Sequence, residues 1–219
     1  VTPEEALAEF RTFVRDEVEP YLWSDGEIYK FLDRAQKDIA RYSGGIGDSR
    51  SNLTYLQPVA GVADYTLSPR ILKIRDVYRV SDGRKLPLYN EENISAGGFY
   101  PATQTGRPSA AVVGMDGGYL TLSPTPDETS CGDMLRLVLY RLPLKDIDAA
   151  STAFEIPEHQ QPALIIGAAA QAYRKQDAET FDRERAVQFE QEFRALCDQI
   201  KRERERREHR PRSMSYGGL

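Results

Sequence analysis

The sequence predicts an α+β fold: a bundle of about four helices, two from each end of the chain, with an inserted antiparallel β-sandwich or barrel-like domain. Three observations predict it. Apolar residues recur every three to four positions in residues 1–52 and again in residues 150–208. Between them, residues 53–149 are rich in β-branched and aromatic residues punctuated by Gly and Pro. Neither pair of helices can bury its apolar stripe alone, so the two terminal segments are expected to close into one discontinuous bundle domain. Residues 209–219 are expected to be a flexible C-terminal arm.

The first helix starts at Thr2-Pro3-Glu4-Glu5, where Thr2 caps, Pro3 takes the first helical position and Glu5 closes a capping box. Leu7, Phe10, Val14 and Val18 form its apolar face, and Pro20 is expected to end it. Ser24-Asp25-Gly26-Glu27 is a second capping box. The helix behind it turns Ile28, Phe31, Leu32, Ala35 and Ile39 inward and stops at Gly44-Gly45.

Leu53–Val59, Asp64–Leu67 and Ile71–Val80 then predict strands, and Asp82-Gly83 predicts a hairpin turn into Lys85–Tyr89. The glycines and prolines of 91–108 predict a long irregular connection. Ala110–Gly114, a turn at Asp116-Gly117-Gly118 and Tyr119–Leu122 predict a second meander, and Met134–Leu142 is the clearest alternating strand. Six to eight antiparallel strands are expected in all. Helix returns after Ile156-Pro157-Glu158, with Pro157 and Pro162 both possible starts. Gly167 and Ala168–Ala170 leave little side chain, so another helix can approach closely there. A last helix is expected over about 179–207, with Phe189, Phe193, Leu196 and Ile200 on one face.

Composition narrows the function. Apolar residues make up 40% of the 219, enough for a core, yet the longest near-apolar run, Ala163–Ala170, is far short of the roughly 20 residues a membrane span needs. The polar opening Val1-Thr2-Pro3-Glu4-Glu5 predicts no signal peptide. Cys131 and Cys197 are too far apart in sequence for a metal knuckle and too few for a disulfide scaffold. The net charge of −5 is uneven: residues 201–212 hold seven Lys/Arg against three Glu, whereas residues 1–33 hold nine acids against three bases. An acidic body with a basic end does not fit a nucleic-acid reader, which carries its positive charge on a folded face.

Residues with catalytic potential lack partners. Gly44-Gly45-Ile46-Gly47 follows a helix and has no trailing Lys-Ser/Thr, so it is a helix stop and not a phosphate loop. Asp16-Glu17, Glu91-Glu92 and Asp146/Asp148 have no His, Lys or third acid at useful spacing, and His159 has no nucleophile beside it. No catalytic, metal or cofactor site is therefore expected. Seven of the twelve tyrosines lie in the β insertion, which has ten Lys/Arg against eleven Asp/Glu. Without a positive field, strand tyrosines fit packing or a protein interface better than stacking on nucleic acid.

Several phrases in order resemble one family. Leu22-Trp23-Ser24-Asp25-Gly26-Glu27-Ile28 running into Leu32–Ala40 resembles the opening of phage head-to-tail adaptor, or connector, proteins. Asp64-Tyr65-Thr66-Leu67-Ser68 with Ile71–Val80 resembles their next strands, and Gly106-Arg107-Pro108, Leu120–Pro126, Leu137–Arg141, Phe154–Glu158, Ala163-Leu164-Ile165 and Ala172-Tyr173 continue the order. The family includes the neck or tail-tubular ring proteins of short-tailed phages.

The resemblance implies a structural virion protein: a homo-oligomeric ring, typically a dodecamer, under the portal protein at the capsid vertex, formed from chains made in the host cytoplasm. Its partners would be the portal and the tail nozzle, tail tube or next neck protein. DNA would pass through its channel without sequence-specific binding, and no enzyme activity, cofactor or membrane is implied. By position alone, the portal-binding arm would contain Arg204, Arg206, Arg207, Arg210, Arg212, Met214, Tyr216 and Leu219. A non-virion protein-binding scaffold or assembly chaperone is the alternative, and a metal-dependent nuclease or hydrolase a more distant third.

Overall fold

Thr2 and Ser24 start the two N-terminal helices as their spacing predicts. In a computed structural model, which describes residues 1–92, 104–175 and 181–208, Glu5 N–H donates to the Thr2 hydroxyl and Thr2 N–H to the Glu5 carboxylate, opening α1 (Pro3–Val14). The Ser24 backbone N–H and hydroxyl both donate to Glu27 at the start of α2 (Asp25–Tyr42). Helix returns in a 3-10 turn at Glu158–Gln160, then α3 (Pro162–Arg174) and α4 (Arg183–Glu208). The start is thus Pro162, where the missing N–H falls in the first turn and breaks no helical bond.

Val18 departs from expectation. It is 80% exposed, because α1 ends four residues before it: Arg15 adopts a left-handed conformation (φ 60°) and Asp16 N–H bonds back to the Arg11 carbonyl. Pro20 is not the residue that stops the helix.

The chain divides into two compact units, Val1–Gly44 with Lys145–Leu219, and Gly45–Leu144. Compared with the boundaries expected at 52/53 and 149/150, both lie earlier in the chain, at 44/45 and 144/145, for local reasons. Gly44 and Gly45 both have positive φ (86° and 95°), and the next residues, Ile46–Asp48, pair with a strand. At the return, Ile147 N–H donates to Asp33, and Lys37 bridges Asp33 (2.6 Å) and Asp146 (2.7 Å), tying the segment to α2. The expected arm at 209–219 and residues 93–103 of the irregular connection lie outside the described residues.

In the helical unit α2 packs on α3, and Ile28, Leu32, Ala35 and Ile39 of the one and Leu164, Ala168, Ala169 and Ala172 of the other are all buried. Trp23, fully buried, stands edge-on to Phe10 (5.9 Å) and Tyr173 (5.5 Å). Gly167 has the close approach its small neighbours predict: a Cβ there would lie 2.6 Å from the Phe193 ring of α4 and 3.0 Å from Ala35 Cβ.

The β unit is a two-sheet sandwich. One sheet has the order β1 (Ile46–Asp48), β9 (Leu135–Arg141), β4 (Ile71–Arg79), β5 (Lys85–Leu86), with β2 (Tyr55–Leu56) also on β9. The other has the order β3 (Asp64–Thr66), β8 (Tyr119–Ser123), β7 (Ala110–Val113), β6 (Leu88–Asn90). Among these nine strands of the described residues, pairing is antiparallel except for β6 on β7, which is parallel. Lys85–Tyr89, predicted as one strand, is therefore divided at Pro87 between the sheets. Leu135, Leu137 and Leu139 of β9 and Ile74 and Val77 of β4 meet Leu120, Leu122 and Ala111 of the second sheet in one aliphatic core. Leu53–Val59 yields only a 3-10 turn at Asn52–Thr54 and the two residues of β2.

Candidate interaction surfaces

The groups suited to chemistry are engaged elsewhere or stand apart. Among the described residues, no three His, Cys, Asp or Glu side chains converge on a metal-sized site. Asp16 is buried against Arg11, Asp146 holds Lys37, and Glu91 accepts from the Tyr119 hydroxyl (2.6 Å), which pushes that phenol up to about 12. His159 is exposed on the 3-10 turn. Cys197 is 1% exposed, and burial pushes its thiol up to about 12, so the thiolate a nucleophile requires is scarce at neutral pH.

The C-terminal half of α4 presents Lys201, Arg202, Arg206 and Arg207 to solvent. Arg204 is different: half-buried, it donates to the Ser43 carbonyl (2.8 Å) at the end of α2. Of the expected arm residues, the helix therefore carries Arg204, Arg206 and Arg207, with Arg204 bound into the bundle. Arg210, Arg212, Met214, Tyr216 and Leu219 lie outside the described residues.

A second surface is the loop between α1 and α2. Arg11, 7% exposed, donates to Asp16 (2.8 Å), to Asp25 (2.5 Å) and to the Trp23 carbonyl (3.1 Å), and its guanidinium lies 3.8 Å from the centre of the Tyr21 ring. Asp16, 4% exposed, also accepts from Leu22 N–H (2.8 Å) and Trp23 N–H (3.4 Å). One buried ion pair thus fixes a loop whose apolar residues Val18, Tyr21 and Leu22 point to solvent, beside the exposed acids Glu17 and Glu19. Sequence periodicity misses it, because Val18 falls on the helical repeat. The usable signal is Arg11 and Asp16 placed on either side of the Arg15 helix end.

A third is the outer face of the β1–β9–β4–β5 sheet. Strand alternation sends Leu135, Leu137 and Leu139 inward and Arg136, Val138 and Tyr140 outward. Register then sets Tyr55, Arg136, Tyr78 and Lys85 side by side across four strands, with Val138 beside Asp76, and Tyr140 beside Lys73. Arg136 donates twice to the Ser49 carbonyl (2.9 and 2.7 Å), and Asp76 pairs with Arg75 (2.8 Å) and Lys85 (2.5 Å). A shallow groove of about 390 Å³ runs over Ser49, Tyr78, Val80, Arg136 and Val138. The tyrosines stand out in the sequence, but their alignment with Arg136 does not.

A family model described as SU10 adaptor protein matches residues 4–215. The chain belongs to the SU10 adaptor protein family. It is thus a phage adaptor with a structural role in the virion, where it contacts other head or tail proteins. The match takes in both units of the adaptor and all three surfaces. Comparison with curated proteins returned no match. Among the described residues of the adaptor, no helix is long and apolar enough to cross a membrane.

Proposed function

We propose that this adaptor is a non-enzymatic connector of the neck or tail-tubular type. Copies form a ring, a dodecamer by resemblance, that joins the portal protein to the next tail component at the capsid vertex and continues the DNA channel. The observation that carries the proposal is the family match over nearly the whole chain, which includes the helical bundle, the inserted sandwich and the charged end of α4. The acidic net charge suits a channel through which DNA slides without sequence-specific contact. The portal contact is assigned to the end of α4 and the residues after it: exposed Arg206 and Arg207, with Arg210, Arg212, Met214, Tyr216 and Leu219.

Electron microscopy of the protein mixed with its portal tests this, with a many-copy collar on the portal ring as the expected result. Virions that lack the protein at the capsid vertex would overturn the assignment. Deleting Arg210–Leu219 is expected to leave the melting temperature unchanged and to weaken attachment to the portal. Unaltered attachment would move the contact elsewhere.

A further inference from the structure

The outer sheet face and the α1–α2 edge are complementary in both charge and character. On the sheet, exposed Lys73, Arg75 and Lys85 and half-buried Arg136 outnumber Asp76, and Tyr55, Tyr78 and Tyr140 lie among them. Tyr55 is 45% exposed at the margin of this face. Tyrosine and arginine around a shallow groove is the composition enriched at the centre of protein interfaces. Along α1 and the loop after it, exposed Glu4, Glu5, Glu9, Glu17 and Glu19 face solvent with Arg15 as the one exposed base, and Phe13, Val18, Tyr21 and Leu22 add exposed apolar surface. The Arg11–Asp16 pair holds that loop in shape before any partner arrives, which lowers the ordering cost of binding.

We infer that the outer face of the β1–β9–β4–β5 sheet docks the acidic α1–α2 edge of a second copy of this chain. In this contact each copy turns its sheet face to one neighbour and its α1–α2 edge to another, so it is heterologous, and successive copies close into a ring or run on as a filament. Lys73, Lys85 and Arg136 of one copy meet the glutamates of the next, and the tyrosines receive Val18, Tyr21 and Leu22. This rests on the proposal that copies assemble, and adds which surfaces meet.

Paired charge reversal tests it. Sedimentation velocity of the full chain at low ionic strength is expected to show species larger than a dimer, which dissociate as salt screens the contact. Lys73→Glu with Lys85→Glu removes only the sheet half, and Glu9→Lys with Glu19→Lys only the helical half. Each double variant alone is expected to associate at least about tenfold more weakly, since like charges then face each other. An equimolar mixture of the two is expected to recover association, because one reversed face then meets the other. Tyr55→Ala, which changes no charge, is expected to weaken association with an unchanged melting temperature, and it decides the matter if a reversed chain does not fold.

A wild-type chain that stays monomeric, that stops at a dimer, or whose reversed variants fail to complement each other overturns the contact. So does saturable single-stranded DNA binding that Lys73→Glu/Lys85→Glu abolishes while self-association is untouched. A protein found at the capsid vertex whose assembly ignores the reversals keeps the connector role and loses only this interface.

Discussion

Leu22 and Trp23 in the helical unit give their backbone N–H groups to the Asp16 carboxylate, while Leu137 and Leu139 in the sandwich sit opposite Val77 and Ile74 in a strand ladder. The two regions satisfy buried backbone by different means. The α1–α2 loop has no ladder, so a charged side chain is taken inside to supply acceptors, and Arg11 is taken in with it to balance that charge. The sandwich has a ladder, so its centre is wholly aliphatic. Its buried charges, Asp76, Arg79 and Arg141, lie outside that core and are tied to Arg75 (2.8 Å) and Lys85 (2.5 Å), to Asp82 (2.9 Å) and to Asp48 (2.5 Å) respectively. The same difference makes the loop a shaped projection and the sheet a patterned face.

Breaking the loop should have the largest effect. Arg11→Met strands Asp16 as a buried unpaired charge and is expected to cost about 3–5 kcal/mol. Trp23, the single tryptophan, is buried beside this network, so its emission in a denaturant titration reports the loss. If the loop depended on packing alone, Arg11→Met would be nearly silent.

Leu137→Ala tests the aliphatic side of the comparison. It empties a fully buried site in the sandwich core, at an expected cost of about 2–4 kcal/mol in circular-dichroism melts, with no direct effect on the Trp23 environment. A Trp23 emission transition that moves down together with the circular-dichroism melt would show that the two regions are not energetically distinct.

Gly167→Leu is expected to cost about 1–3 kcal/mol by forcing Phe193 and Ala35 apart, and Gly167→Ala less. A neutral Gly167→Leu in thermal melts would mean that α4 shifts freely against α3.

Acid gives the smallest effect. Glu27 is held down to about 2 by the Lys175 ammonium (2.8 Å) and by the Ser24 N–H, against 4.5 for the free group. Its contribution is present above pH 4.5 and is lost as pH falls toward 2, when the carboxylate that ties the start of α2 to the end of α3 takes up a proton. Glu27→Gln should flatten the pH dependence of Trp23 emission across that window. An unchanged slope would place the acid sensitivity elsewhere. Asp48 in the sandwich is held well below the usual carboxylate range too: burial opposes this, and bonds from Arg50, Ser51 and Arg141 outweigh it.

Both capping boxes, the apolar stripes of α2 and α4, the Asp82-Gly83 and Asp116-Gly117-Gly118 turns and the alternation of β9 were legible in the sequence, because each depends on neighbours within about four positions along the chain. So was the close approach at Gly167, since small residues in a row leave room whatever the partner is. The interaction surfaces were legible only in part. The charges at the end of α4 and the tyrosines stand in plain view, yet nothing local distinguishes Arg204, bound to Ser43, from its exposed neighbours.

What the amino-acid order determined by itself was which segments become helix or strand and which side of each is apolar, because those follow from the 3.6 and 2 residue periods of the backbone. What only the tertiary structure decided was everything that joins distant residues. Ile46–Asp48 leaves the helical segment for the edge of β9, 93 positions away at the Asp48–Arg141 pair, and β6 runs parallel to β7. Val18 turns outward because Arg11 and Asp16 close α1 early, and three tyrosines and an arginine come to share one face through strand register. Such pairings compete across the whole chain, and their outcome depends on which long-range contacts bury the most surface and balance the buried charge, quantities that no local period encodes.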